Sequence, residues 1–122
     1  MGFTDTLTNI ASRIQGCAAV VILGIDGIAI ERHVQDLDPV FDIDVVATEF
    51  TSLVSRGMRT ASDTELGELN EMVLAAEKMT LLLRPITSEY FLFLALNPGA
   101  NLGRARFELR KAQLAMEVEF AI

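Results

Sequence analysis

The chain has 122 residues, a length typical of one domain, and 51% of them are hydrophobic. Its 17 acidic and 10 basic residues give a net charge of −7, which disfavours nucleic-acid binding because such a surface repels phosphate backbones. No apolar run approaches the roughly 18 to 20 residues that cross a bilayer, and no signal peptide is recognisable. With only one cysteine and one histidine, we expect a single cytoplasmic domain over 1–122, without catalytic, cofactor or metal residues.

The first third of the chain predicts one helix followed by a β-hairpin. Apolar residues recur at helical spacing over 3–14, and Gly16 ends that helix. The uninterrupted apolar run 17–24 is typical of a strand that is buried on both faces. The Asp26-Gly27 pair favours a two-residue turn into a second, alternating strand over 28–34.

An acidic connector leads into a long amphipathic helix. Within residues 35–44, either Asp42 or Asp44 is placed to accept a hydrogen bond as the N-cap of that helix. Apolar residues then form one stripe over 43–61, and we expect the helix to end near 62–63.

The second half of the chain predicts three strands and a closing helix. The strands are expected at 66–76, 79–85 and 89–96, and their short connections favour antiparallel neighbours. A helical period returns after Gly99. The element order is therefore αββαβββα, an α+β fold. Strands 17–24 and 89–96 are apolar on both faces, so we expect them side by side in the middle of the sheet, with the second helix on one face and the terminal helices on the other.

Three patterns imitate functional motifs without meeting their requirements. A P-loop needs lysine and a hydroxyl residue after its second glycine, whereas Arg-Ala follows Gly103. The acidic residues between 36 and 44 lack the ligand spacing of a calcium loop and are better suited to helix capping. Cys17 begins a buried strand, where thiols are inert, and His33 is expected to be solvated.

Three segments together resemble the roadblock/dynein-light-chain family, including its MglB-like members. They are "VVILGIDGIAIE" (20–31), the long second helix and "ALNPGANLGRARFELRKA" (95–112). The resemblance implies a five-stranded antiparallel sheet between helices, extended across a homodimer by edge-to-edge pairing of the third strands beside the second helices. The interface residues that it implies are Phe50, Leu53, Val54, Leu66, Glu68, Leu69, Glu71 and Val73.

The resemblance also implies a function in regulating or scaffolding a small Ras-like GTPase, without an active site of its own. MglB-like members promote GTP hydrolysis by their partner GTPase. A polar strip on the second helix is our candidate for binding that partner, and it consists of Glu49, Ser52, Arg56 and Arg59. Two alternatives remain open: a purely structural adaptor, and a small-molecule sensor with a pocket lined by Met58, Met72, Met79 and Met116.

Overall fold

The computed structural model describes residues 2–120, which form three helices and one five-stranded antiparallel sheet. The elements are α1 (Phe3–Ser12), β1 (Cys17–Gly24), β2 (Ala29–Val34), α2 (Ile43–Asp63), β3 (Met72–Ala75), β4 (Thr80–Pro85), β5 (Tyr90–Leu96) and α3 (Leu102–Phe120). The strands lie in the order β2-β1-β5-β4-β3. The predicted α+β fold and its αββαβββα order are confirmed.

The two doubly apolar strands form the centre of the sheet, as predicted. β1 pairs with β5 along its length, from Cys17 opposite Leu96 to Gly24 opposite Tyr90. Nearly every side chain of these two strands is buried, because both faces of the sheet are covered by helices.

The helices cover the sheet in the predicted arrangement. On one face, Leu7 of α1 and Leu109 of α3 pack in a core that includes Val20 of β1. On the opposite face, α2 places Phe50 in a separate core with Val21. The domain is therefore a three-layer structure. None of the helices within residues 2–120 is long and apolar enough to cross a membrane.

The third strand is shorter than predicted. β3 covers only Met72–Ala75, and residues 66–71 lie outside the sheet. The backbone at Glu65 (φ 61°) and Gly67 (φ 95°) is left-handed, a conformation that interrupts an extended strand. Pairing with β4 begins only where Met72 lies opposite Leu83. Hydrophobic patterning over 66–76 did not reveal these turns.

The β1–β2 turn also differs from its prediction. The amide of Gly24 donates to the carbonyl of Ile28 over 3.0 Å, so the loop contains three residues rather than two. Gly27 adopts a φ of 84°, which a glycine permits, and Asp26 Oδ1 accepts from the Ile28 amide. Such three-residue loops combine an ordinary turn with a left-handed glycine.

Side-chain hydrogen bonds cap the N-termini of α2 and α3, and α1 is shorter than predicted. Asp42 Oδ1 accepts hydrogen bonds from the amides of Asp44 and Val45 and so caps α2, which decides between the two predicted caps. Asn101 Oδ1 accepts from the Arg104 amide at the start of α3. α1 ends at Ser12, two residues before the prediction.

Candidate functional site

The free edge of β3 is the first candidate binding surface. Among the described residues, β3 is hydrogen-bonded to β4 alone. The Ala76 amide donates to the Met79 carbonyl over 3.0 Å, which directs alternate residues of β3 toward β4. The backbone groups of Val73 and Ala75 therefore point away from the sheet. Such a row of unpaired groups is a template for another strand.

Exposed apolar side chains surround this edge. Leu53 is 43% exposed, Leu74 42% and Val73 38%. α2 lies directly over β3 here, because a Cβ on Gly57 would come within 3.1 Å of the Met72 methyl carbon. Leu53 lies one helical turn before Gly57 and so projects from the same side of α2. Leu53 and Leu74 therefore form one apolar surface beside the open edge, while Val73 lies on the other face of the sheet.

The structure separates the residues predicted for the dimer interface into three groups. Phe50 and Val54 are buried against the chain's own sheet, whereas Leu53 is exposed. Leu66 and Glu68 are exposed but lie before β3, not within it. Leu69 and Glu71 also precede β3 but are partly buried, whereas Val73 lies within β3 and is exposed like Leu53.

The polar strip of α2 is exposed, as its sequence spacing predicts. Glu49, Ser52, Arg56 and Arg59 all face solvent. Throughout residues 2–120, Arg56 and Arg59 take no part in a salt bridge, while most other cations of the chain do. Their positive charges therefore remain available to a partner.

An ionic network behind β3 was missed by the sequence analysis. Glu71 lies 3.1 Å from Arg84 Nη1 and 2.6 Å from Arg106 Nη2. Arg84 Nε also donates to Gln113 Oε1 over 3.1 Å. These contacts join the segment before β3 to β4 and α3. The participants are far apart in the sequence, so no local spacing indicated them.

A cleft of about 660 Å³ opens beside this network. It lies between the segment 65–70, the end of β4 and one side of α3. Of the four methionines predicted to line a pocket, Met58 borders the cleft. The prediction is wrong for Met79 and Met116, which are buried in the cores on opposite faces of the sheet.

Cys17 and His33, the two residues whose side chains are common in catalysis, lie apart from the candidate surfaces described above. Burial raises the pKa of the Cys17 thiol to about 12, although a hydrogen bond with the Ala19 backbone lowers it in part. Cys17 is therefore a neutral thiol at physiological pH. His33 is half-buried, whereas a solvated side chain was predicted. Its Nε2 lies 3.1 Å from Gln35 Oε1, and its Nδ1 lies 3.5 Å from Thr8 Oγ1.

Solved structures share this fold over nearly the whole chain. A roadblock/LC7 domain from Streptomyces avermitilis has a TM-score of 0.84 at 18% identity, with 98% of each chain covered. MglC from Myxococcus xanthus has a TM-score of 0.69 at 27% identity, covering 98% of this chain and 99% of its own. A structure of MglB with a tetrameric arrangement has a TM-score of 0.84 at 19% identity, covering 97% and 88%.

No protein-family model matches the chain, and no curated protein has significant sequence similarity to it. The similarity therefore lies in the arrangement of the helices and strands. The chain has the roadblock/LC7 fold, in the form that MglB also adopts.

Proposed function

We propose that this protein is a homodimeric, non-catalytic regulator or scaffold of a small Ras-like GTPase. The observation that carries the proposal is the open β3 edge beside exposed apolar residues of α2, in a fold shared with MglB. Dimerisation would bring two copies of α2 together and create a binding surface larger than that of one chain. The proposal includes stimulation of GTP hydrolysis through rearrangement of the partner's own catalytic groups.

The β3 edge is suited to pairing with the β3 edge of a second copy of the chain. Antiparallel pairing of two β3 strands would satisfy the outward backbone groups of Val73 and Ala75. Pairing would also cover Leu53 and Leu74, which otherwise expose apolar surface. An MglB of the same fold is known in a tetrameric arrangement, an example of self-association in this architecture.

A proline substitution tests this pairing without breaking the sheet. Ala75→Pro removes an outward amide and leaves the hydrogen bonds between β3 and β4 in place. We expect a folded monomer by light scattering, with an unchanged far-UV circular dichroism spectrum. Leu74→Pro, which removes an inward amide, should instead disturb the sheet itself. An Ala75→Pro variant with the mass of an unaltered dimer would contradict pairing through β3.

The exposed arginines of the α2 strip are suited to binding an acidic surface of the GTPase. Arg56 and Arg59 are exposed cations in a chain with a net charge of −7. In the dimer, the two helices would bring four such arginines onto one platform. Complementary charges at an interface act chiefly on association rate and on selectivity.

Charge reversal tests the α2 strip. We expect the double variant Arg56→Glu/Arg59→Glu to bind a GTP-loaded Ras-like GTPase from the source organism at least about tenfold more weakly, with a flatter salt dependence. Its dimer mass and melting temperature should change little because exposed charges contribute little to stability. Lys78→Glu, a single exposed reversal in the β3–β4 turn, is the control for charge reversal away from the strip. Unaltered affinity in an intact double variant would exclude this strip.

The cleft beside Arg84 supports a second candidate function, small-molecule sensing. Its volume of about 660 Å³ is within the range of ligand pockets, and Arg84 with Gln113 supplies polar groups at its lining. Against a small anionic ligand, Arg84 is already paired with Glu71. Native mass spectrometry of the purified protein decides between the two: a stoichiometric bound metabolite would favour the sensor.

A further inference from the structure

The outer side of α3 carries an apolar stripe that the fold does not use. Phe107 is 58% exposed, Leu114 54% and Val118 67%. Their spacing of seven and four residues places them on one side of the helix. The inward side of α3 is separate, since Leu109 and Met116 fill the core beneath it. We call Phe107, Leu114 and Val118 the α3 stripe.

Cations surround the stripe and hold its aromatic ring. The Arg104 guanidinium lies 6.0 Å from the centroid of the Phe107 ring, and Lys111 Nζ lies 5.5 Å from it. Both cations form salt bridges with the buried Glu108, and each lies 3.2 Å from one of its carboxylate oxygens. Phe107 is thus presented in a preorganised setting, which lowers the entropy lost on binding.

The stripe continues into a shallow groove between α1 and α3. A cavity of about 150 Å³ lies there, lined by Ile10 of α1, by Arg13 just after α1, and by Lys111 and Ala115 of α3. The small side chain of Ala115 leaves room for a partner's side chain. The groove and the stripe are adjacent because Lys111 belongs to both surroundings.

This surface is separate from the β3 edge and from α2. The other flank of α3 points toward β3, where Arg106 pairs with Glu71 and Gln113 with Arg84. α2 packs on the opposite face of the sheet. A partner on the α3 stripe would therefore leave the surfaces of the proposed function accessible.

We propose that the α3 stripe docks an acidic amphipathic helix from a partner protein. Arg13, Arg104, Arg110 and Lys111 lie at or beside the stripe and the groove, whereas the chain as a whole carries −7. Glu108 offsets one of these charges, and Glu117 and Glu119 lie only at the far end of the stripe, so the surface around Phe107 stays positive. Phenylalanine and arginine are frequent interface anchors, and a helix with an acidic rim would match this pattern.

An anionic membrane is the rival with similar chemistry. A membrane would also attract cations beside exposed apolar residues. The acidic surface of the whole chain, however, would oppose approach to an extended negative bilayer. A single helix needs to contact only the cations around Phe107, so the net charge of the chain favours the protein partner.

A pair of designed peptides tests the proposal. The first is helical with leucine on one face and glutamate on the other, and the second replaces each glutamate with lysine. We expect saturable binding of the acidic peptide alone, measured by fluorescence anisotropy. Phe107→Ala and Arg110→Glu should each weaken binding at least about tenfold, because they remove an aromatic anchor and a cation of the surface. Both residues are exposed, so neither substitution should disturb the fold.

Two control variants locate the binding. Lys78→Glu makes the same charge change as Arg110→Glu on a distant turn and should leave peptide affinity unchanged. Arg56→Glu should also have no effect, which separates this proposal from GTPase binding through α2. Absent binding, equal binding of both peptides, or affinity unaffected by Phe107→Ala would overturn the proposal. Phe107-dependent binding to phosphatidylserine vesicles without peptide binding would replace it with the membrane.

Discussion

Phe50→Ala and Leu53→Ala, less than one turn apart on α2, should have different consequences. Phe50 is only 2% exposed, and its ring lies 5.8 Å from that of Phe93, centroid to centroid, at 58°. Removing it leaves a cavity over the centre of the sheet that Ala47 and Val54, already in place on either side, cannot fill. Leu53 instead faces solvent beside the β3 edge.

The expected magnitudes follow from this difference in burial. Truncation of a buried phenylalanine costs about 3 to 5 kcal/mol, a large share of the 5 to 15 kcal/mol that holds a typical domain folded. In a domain of this size each 1 kcal/mol lowers the melting temperature by about 3 to 5 °C. Phe50→Ala should thus lower the melting temperature by roughly 10 to 25 °C. Leu53→Ala should cost a single chain less than about 1 kcal/mol.

Urea unfolding at two protein concentrations measures both effects. The free energy of unfolding of Phe50→Ala should fall at either concentration. The midpoint of Leu53→Ala should differ from the wild type chiefly at low concentration, because a weakened dimer dissociates there. Equal losses in both variants, independent of concentration, would refute the assignment of Phe50 to the core and Leu53 to an interface.

Labelling of Cys17 and substitutions at Glu71 and at two glycines test contacts within one chain. Cys17 should react with Ellman's reagent only on unfolding, and because its pKa is raised, its contribution to stability should be complete below about pH 9 and lost as the pH rises toward 12; fast labelling of the native protein would contradict this. Glu71→Ala should cost about 3 kcal/mol in denaturant unfolding, since it leaves the largely buried Arg84 without its carboxylate; wild-type stability would show that the pair is dispensable. Gly16→Ala should cost roughly 2 to 5 kcal/mol, because its φ is 88° and the new carbon would lie 2.8 Å from the Ala100 Cβ, whereas Gly67→Ala, with no neighbour within 4 Å, should cost only about 1 to 2. Similar losses at the two glycines would contradict the close contact at Gly16.

The elements that could be predicted from the sequence are those with a regular pattern of buried residues. β1 has the predicted bounds because an unbroken apolar run of eight residues is typical of a strand covered on both faces. α2 could be predicted from its stripe and from the Asp42 cap. The exposed strip with Arg56 and Arg59 followed from the same periodicity.

The errors concern features set by the tertiary structure. Leu66 and Leu69 continue the apolar pattern of β3, but the left-handed backbone at Glu65 and Gly67 removes them from the sheet. The Glu71–Arg84 contact joins distant segments, so Glu71 could not be recognised as a structural anchor from its neighbours alone. The α3 stripe was not predicted, although Phe107 lies off the helical face that Leu109 and Met116 occupy.

The mass of the wild-type protein in solution tests dimerisation most directly. Light scattering coupled to size exclusion, at micromolar concentration and physiological salt, should give twice the chain mass of 13.4 kDa. That result would show that a second copy covers surface left open in one chain. A mass of one chain across the micromolar range would contradict the homodimer, and with it the paired α2 platform on which the proposed binding of a Ras-like GTPase rests.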